Sequence, residues 1–215
     1  AYGADIVTYD RYHESRENIG ARLAKKYGAD LIKPYDDYRV IVGQGTVGLE
    51  IINQLGNLKE NLDSVLCCCG GGGLIAGLSI AIHATLPNIK IWSAEPQFYD
   101  DTKRSLSNGK IESAEVDKSS ICDAIITPKP GNLTFPINQK HISGGAVVTD
   151  EMVLKAIATL FKYLKIVVEP GGAVAVAAVL TGQVPHGTNT VVAVASGGNI
   201  DPKMFQRALD YGSYF

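Results

Sequence analysis

The sequence predicts an α/β domain built on a buried, largely parallel sheet. Short runs such as Ser64–Cys69 are apolar almost without a break, as strands covered on both faces are. These runs alternate with segments of helical period, the order that lays helices over a parallel sheet. The 23 glycines of the 215 residues gather beside the runs instead of scattering.

Each element has a local reason. Ile6–Tyr9 reads as a strand. Glu14–Tyr27 carries Ile19, Leu23 and Tyr27 on one face and stops at Gly28, so it reads as a helix. Leu31–Ile32 starts another extended piece, and Pro34–Tyr38 is a polar connection. Thr46–Leu55 is helical and ends at Gly56. Ser64–Cys69 is a strand, Leu74–Ala84 an apolar helix and Lys90–Ala94 a strand. Thr149 caps a helix that carries Val153, Ile157, Leu160 and Leu164. Ile166–Val168 is extended. Pro170, which costs no hydrogen bond in a first turn, starts an Ala/Val-rich helix. Thr190–Ala195 is a strand and Asp201-Pro202 opens the last helix. From about Ser107 to Ala146 the chain reads as irregular, a length unusual in a compact domain and suited to covering a site. No internal repeat or low-complexity linker is visible.

Composition excludes several classes. The chain is 46% hydrophobic and 20% charged, a core-forming balance. Lys and Arg total 20 against 22 Asp and Glu, so no basic excess exists to hold a nucleic-acid backbone. No apolar run approaches the roughly 18–20 residues of a membrane span, and Ala1–Asp5 is not a secretory signal. Cys67, Cys68, Cys69 and Cys122 have neither metal-ligand nor disulfide spacing. They read as buried thiols of a reducing, cytoplasmic compartment.

The chemistry concentrates in the glycines. Gly70–Gly73 follows a strand and opens a helix, where freed N–H groups and the positive helix end cradle an anion. A phosphate ligand is favoured over a bare tight turn. The motif does not say which phosphate. Gly71-x-Gly73-x-x-x-Gly77, with Glu95 at the end of the next strand, approximates a dinucleotide fingerprint, so a nicotinamide-dependent dehydrogenase stays open on this segment. Three more glycine turns read as strand-adjacent: Gly43-Gln44-Gly45-Thr46, Val168–Gly172 and Ala195–Asn199. Four such turns suggest several strand ends converging on one ligand, more than a dinucleotide site requires.

Together these segments resemble the fold-type II, pyridoxal-phosphate-dependent family of threonine/serine dehydratases and serine racemases, over nearly the whole chain. The resemblance rests on Gly43-Gln44-Gly45-Thr46 with Glu50, the tetraglycine with Leu74-Ile75-Ala76-Gly77, Ala94-Glu95-Pro96, Val168-Glu169-Pro170 and Ser196-Gly197-Gly198-Asn199, in the family's order. It implies a three-layer parallel-sheet domain of the tryptophan synthase β-subunit-like PLP fold over residues 39–215, with the remnant of a smaller α/β domain over residues 1–38. It implies a lyase, a homodimer when complete. The reaction would take water from a β-hydroxy amino acid (threonine, serine or 3-hydroxyaspartate) and yield a 2-oxo acid and ammonia, with racemase activity beside it. Asp123-Ala124-Ile125, Pro128, Pro130-Gly131 and Leu133–Pro136 point to a threonine/serine or hydroxyaspartate dehydratase-like subgroup.

Position by position, the resemblance assigns the cofactor phosphate to Gly70, Gly71, Gly72, Gly73 and the N–H of Leu74. Ser196, with Gly197, would face the pyridine nitrogen. Glu169 would sit near the same ring edge, or else serve only as a carboxylate at the start of the Pro170 helix. A hydroxyl is a poor counter-charge for a pyridinium, so the ring would stay largely neutral and be a weaker electron sink than one paired with aspartate. Glu95, the Tyr99 carbonyl and Asp101 would hold Mg²⁺, Mn²⁺ or Ca²⁺, unless Asp100-Asp101 is merely a solvated helix start.

In the family, the Schiff-base lysine and a Ser-x-Gly-Asn-His loop precede the Gly-Gln-Gly-Thr segment. Neither pattern occurs here, so no catalytic residue is assigned. The chain looks like the C-terminal two-thirds of such an enzyme, inactive by itself. A non-catalytic phosphate-binding domain is the other reading. Cys67-Cys68-Cys69 stands where the family usually has valine and proline.

Overall fold

The computed structural model describes residues 3–10, 13–57, 62–115, 117–185 and 187–214. They form two compact units, Ala1–Lys33 and Pro34–Phe215.

The first unit holds one helix, α1 (Arg16–Tyr27). Ser15 caps it by accepting from the Asn18 N–H, and Gly28 ends it at φ +61°. The expected strand at Ile6–Tyr9 and the extended piece at Leu31–Ile32 do not form strands. No other described segment of this unit is a strand, so they have no ladder to join, and Ile6 is 87% exposed.

The second unit runs α2 (Tyr38–Leu55), β1 (Ser64–Cys68), α3 (Gly73–Thr85), β2 (Lys90–Pro96), α4 (Asp101–Asn108), α5 (Thr134–His141), β3 (Gly144–Val148), α6 (Asp150–Thr159), α7 (Pro170–Leu180), β4 (Val191–Ala193) and α8 (Pro202–Tyr211). The strands form a parallel sheet in the order β3-β2-β1-β4, with Val65 opposite Ile91 and Val192. The two-residue period of β1 builds both cores. Val65, Cys67 and Cys69 join Ile75, Leu78 and Ile82 on the face covered by α2 and α3. Leu66 and Cys68 join Val153, Leu154, Ile157 and Val174 on the face covered by α6, α7 and α8. Helices on both faces make the three layers. The four cysteines are buried and free, and no helix among the described residues is long and apolar enough to cross a membrane.

Three expectations change. Gly43-Gln44-Gly45-Thr46 is not a strand-adjacent turn; it lies inside α2, which starts at Tyr38 because Asp37 caps it through the Arg39 N–H. Its glycine spacing serves helix packing. A Cβ on Gly48 would lie 2.7 Å from the Leu78 carbonyl oxygen, and one on Gly77 of α3 would strike the Ile41 carbonyl. The stretch from Ser107 to Ala146 is less irregular than it reads, since it contains α5 and most of β3. Gly144-Gly145 hides the strand: a Cβ on Gly144 would sit 2.8 Å from the Trp92 ring, so the ladder position excludes the branched residues that usually announce a strand. Ile166–Val168 forms no strand; a wider turn over Leu160–Leu164 extends α6 instead, and Lys165 ends it at φ +59°.

Candidate functional site

β1 and β4 are parallel neighbours, so the turns that follow them emerge side by side at the carboxyl end of the sheet. Gly70–Gly73 follows β1, and Ser196–Asn199 follows β4.

The tetraglycine is shaped from outside. Gly72 sits at φ +90°, and a Cβ there would lie 2.5 Å from the Asn138 amide nitrogen. A Cβ on Gly71 would strike the Tyr35 ring. The Gly71 carbonyl accepts from Thr134 Oγ1 at 2.6 Å and from the Gly131 N–H at 3.2 Å. The Gly72 carbonyl accepts from the Asn138 side chain at 3.5 Å and from the Ala76 N–H at 3.0 Å. A planar trans peptide points its N–H opposite its carbonyl. The Gly72 and Gly73 N–H groups therefore face away from these partners. No side chain caps α3, so its first N–H groups and its dipole are offered outward, the arrangement that binds a phosphate. Of the expected set Gly70, Gly71, Gly72, Gly73 and Leu74, this geometry speaks for the Gly72 and Gly73 N–H groups.

α5 runs along α3 and is tied at both ends. At the far end the His83 and His141 Nδ1 atoms lie 2.9 Å apart. His83 Nε2 donates to the Ile89 carbonyl at 2.9 Å, so its Nδ1 is the acceptor and His141 Nδ1 carries the proton. Burial, then the His83 ring, lowers the His141 pKa. Sequence reasoning missed Tyr35, Thr134 and Asn138 as partners of the turn. Only Thr134 had a local signal, the Leu133–Pro136 segment that marks the subgroup.

The second turn is braced on α7. The Glu169 N–H donates to the Gly197 carbonyl at 2.8 Å, and Glu169 Oε2 accepts from the Asn199 N–H at 3.1 Å. A Cβ on Gly197 would strike Glu169 Oε1. Glu169 holds the N-cap position of α7 but makes no side-chain cap bond; its carboxylate holds the turn. Ser196 is exposed, and its Oγ lies 3.3 Å from Cys68 Sγ at the end of β1. A hydroxyl and an anion cradle thus follow the carboxyl ends of two neighbouring strands. Both are features that the phosphorylated ring implied by the sequence resemblance would use.

Glu95 and Asp101 lie near enough to repel each other, and Tyr99 falls between them in the chain. Glu95 is fully buried. Its Oε1 accepts from the Thr102 N–H at 2.8 Å, and its Oε2 from the Lys103 N–H at 2.9 Å and Ser93 Oγ at 3.0 Å. It satisfies two of the first N–H groups of α4. Burial, then the Asp101 charge, pushes the Glu95 pKa up to about 8. Asp101 is 2% exposed, its Oδ2 has no partner, and burial pushes its pKa up to about 7. The Tyr99 hydroxyl donates to the Lys118 carbonyl at 2.9 Å. Two crowded carboxylates, one with an orphaned oxygen, are compatible with a hard cation. No group of three or more His, Cys, Asp or Glu among the described residues is placed to hold a metal.

Comparison with known proteins agrees with this geometry. The chain is 35% identical over 212 residues to a serine racemase of Dictyostelium discoideum, covering 97% of the chain and 64% of the relative. It is 35% identical to an L-threonine ammonia-lyase of Thermotoga maritima (98% of the chain, 51% of the relative). It is also 35% identical to an L-threo-3-hydroxyaspartate ammonia-lyase of Saccharomyces cerevisiae (95% and 61%). Among solved structures, maize serine racemase superposes with a TM-score of 0.85 at 33% identity, over 97% of this chain and 63% of that one. A T.th. threonine deaminase gives 0.80 at 40% identity, over 86% and 62%. The chain therefore spans between half and two-thirds of these relatives. A family profile described as pyridoxal-phosphate dependent enzyme matches residues 1–197. This match, over a fold that sets the glycine cradle and the Ser196 hydroxyl at the carboxyl ends of neighbouring strands, shows that the chain belongs to the pyridoxal-phosphate dependent enzyme family.

Proposed function

We propose that this chain carries the cofactor-binding part of a lyase that removes water from a β-hydroxy amino acid, giving a 2-oxo acid and ammonia. The observation that carries the reading is the tetraglycine, with its carbonyls tied back by Thr134 and Asn138 and its N–H groups turned outward. The relatives' names add the substrate class: serine, threonine and 3-hydroxyaspartate all bear a β-hydroxyl.

Pyridoxal phosphate, when bound, supplies an electron sink for the substrate α-carbon. The chain's own residues do the rest. Gly70–Gly73 and the Leu74 N–H hold the phosphate. The Ser196 hydroxyl donates to the ring nitrogen and, lacking a charge, leaves it unprotonated. Gly197 and Glu169 fix the turn that presents Ser196. Asp101, Glu95 and the Tyr99 carbonyl hold a divalent cation that relieves the repulsion between the two carboxylates. Residues 1–38 belong to a smaller domain, the complete enzyme is a homodimer, and the free thiols suit a cytoplasmic setting. Glu95 speaks against the nicotinamide reading: it is fully buried, with its oxygens turned toward the start of α4 and Ser93, where a bulky ribose has no access.

Gly72→Val tests the cradle. It should weaken pyridoxal phosphate binding to the chain at least tenfold, about 1.4 kcal/mol. Thr134→Val, which unties the Gly71 carbonyl but leaves the glycines in place, should weaken it in the same direction. Wild-type affinity in both variants, with an unchanged circular dichroism spectrum, would remove the assignment.

A further inference from the structure

We propose that Cys68 is a positioning residue for Ser196: its thiol donates to the Ser196 hydroxyl oxygen and so aims the hydroxyl proton at the cofactor ring nitrogen. The inference rests on the pyridoxal phosphate reading above and deepens it.

Cys68 Sγ lies 3.3 Å from Ser196 Oγ, within reach of a sulfur hydrogen bond, although the two residues are 128 positions apart. The thiol is 5% exposed and packs in the core between the sheet and α6–α7, so water cannot replace this contact. Ser196 is exposed on its other side, where a ligand would meet it. A serine hydroxyl has one proton and two acceptor positions. An unprotonated ring nitrogen can only accept, so that single proton must go to the ring. The thiol is left as the donor, S–H to Oγ, and the two bonds form a relay that ends on the ring. Donation into the oxygen also polarises the hydroxyl and strengthens its own bond. The valine or proline usual for the family in this strand can supply neither effect.

The donor direction is read from the infrared S–H stretch, which lies clear of other protein bands. The Cys68 band is assigned by its loss in Cys68→Val, which removes the thiol and adds about one methyl group. It should lie at the lowered frequency of a donated thiol and rise in Ser196→Ala. The consequence is read from equilibrium binding of pyridoxal phosphate. Cys68→Val should weaken it about threefold to tenfold, the range of one neutral hydrogen bond. Cys68→Ser, which donates from the same place, should restore most of the loss. The double variant Cys68→Val/Ser196→Ala should bind no more weakly than Ser196→Ala alone, because the thiol acts only through the hydroxyl. A Cys68 band that ignores Ser196→Ala, or no band because the thiol is ionised, overturns the proposal. So does wild-type affinity in Cys68→Val, or additive losses in the double variant. A wild-type chain with no affinity for pyridoxal phosphate would instead overturn the functional reading, and the infrared band would still decide the hydrogen bond.

Discussion

Asp101→Asn should raise stability at pH 8 and not at pH 5. Burial pushes Asp101 up to about 7 and Glu95 up to about 8. Their unfolded values are about 3.9 and 4.3. Both folded values are raised acids, so between roughly pH 4 and 8 the native state holds protons that the unfolded state has released, and stability falls as pH rises. For Asp101 alone the penalty is at most about 1.5 kcal/mol at pH 5 and about 4 kcal/mol at pH 8, from 1.36 kcal/mol per pKa unit. The amide removes this pH-dependent loss. It places an unpaired N–H where Oδ2 already lacks a partner, at a pH-independent cost of about 1–3 kcal/mol. The net gain is then about 1–3 kcal/mol at pH 8, and at pH 5 the variant is equal to wild type or weaker. Urea unfolding in EDTA at the two pH values measures it, with equal m-values as the control. The same stability difference between variant and wild type at both pH values would show that Asp101 carries no such strain. Repeating the pH 8 measurement in millimolar Mg²⁺ tests the cation: wild type should gain stability and Asp101→Asn should gain little.

Two further outcomes are expected. Gly77→Ala should destabilise by about 1–3 kcal/mol by forcing α2 away from α3, whereas Gly43→Ala, on an open face of the same α2, should stabilise by about 0.5–1 kcal/mol. Thermal unfolding compares them, and equal effects would contradict the close-packing reason for the glycines. Residues 1–215 mixed with pyridoxal phosphate and L-threonine or L-serine should yield no 2-oxo acid above the free-cofactor background, since no lysine of the chain matches the family's Schiff-base position. Turnover would mean that another residue here serves as the base.

The sheet and the cradle were legible because their signals are local. Val65–Cys69 is apolar on alternate residues of both faces, and that alone demands cover on both sides. Four glycines between a strand and a helix announce a close backbone approach wherever the chain goes next. Thr149 and Asp201 cap the helices they precede, since a cap needs only residues two or three positions on. What the sequence hid is the identity of each neighbour. Gly43–Thr46 has turn-like composition and sits in mid-helix, because those glycines answer to the approach of α3, not to their own backbone. Glu95 stands where a ribose-binding acid would, yet it is buried with its hydrogen bonds directed to α4 and Ser93. Thr134 is 63 residues from the carbonyl it holds, and Cys68 is 128 from the hydroxyl it meets. Periodicity and turn chemistry are properties of a few adjacent residues and determine which faces must be buried. Which partner buries them, and which way a shared hydroxyl or carbonyl then points, depends on surfaces that only the folded chain brings within hydrogen-bond reach.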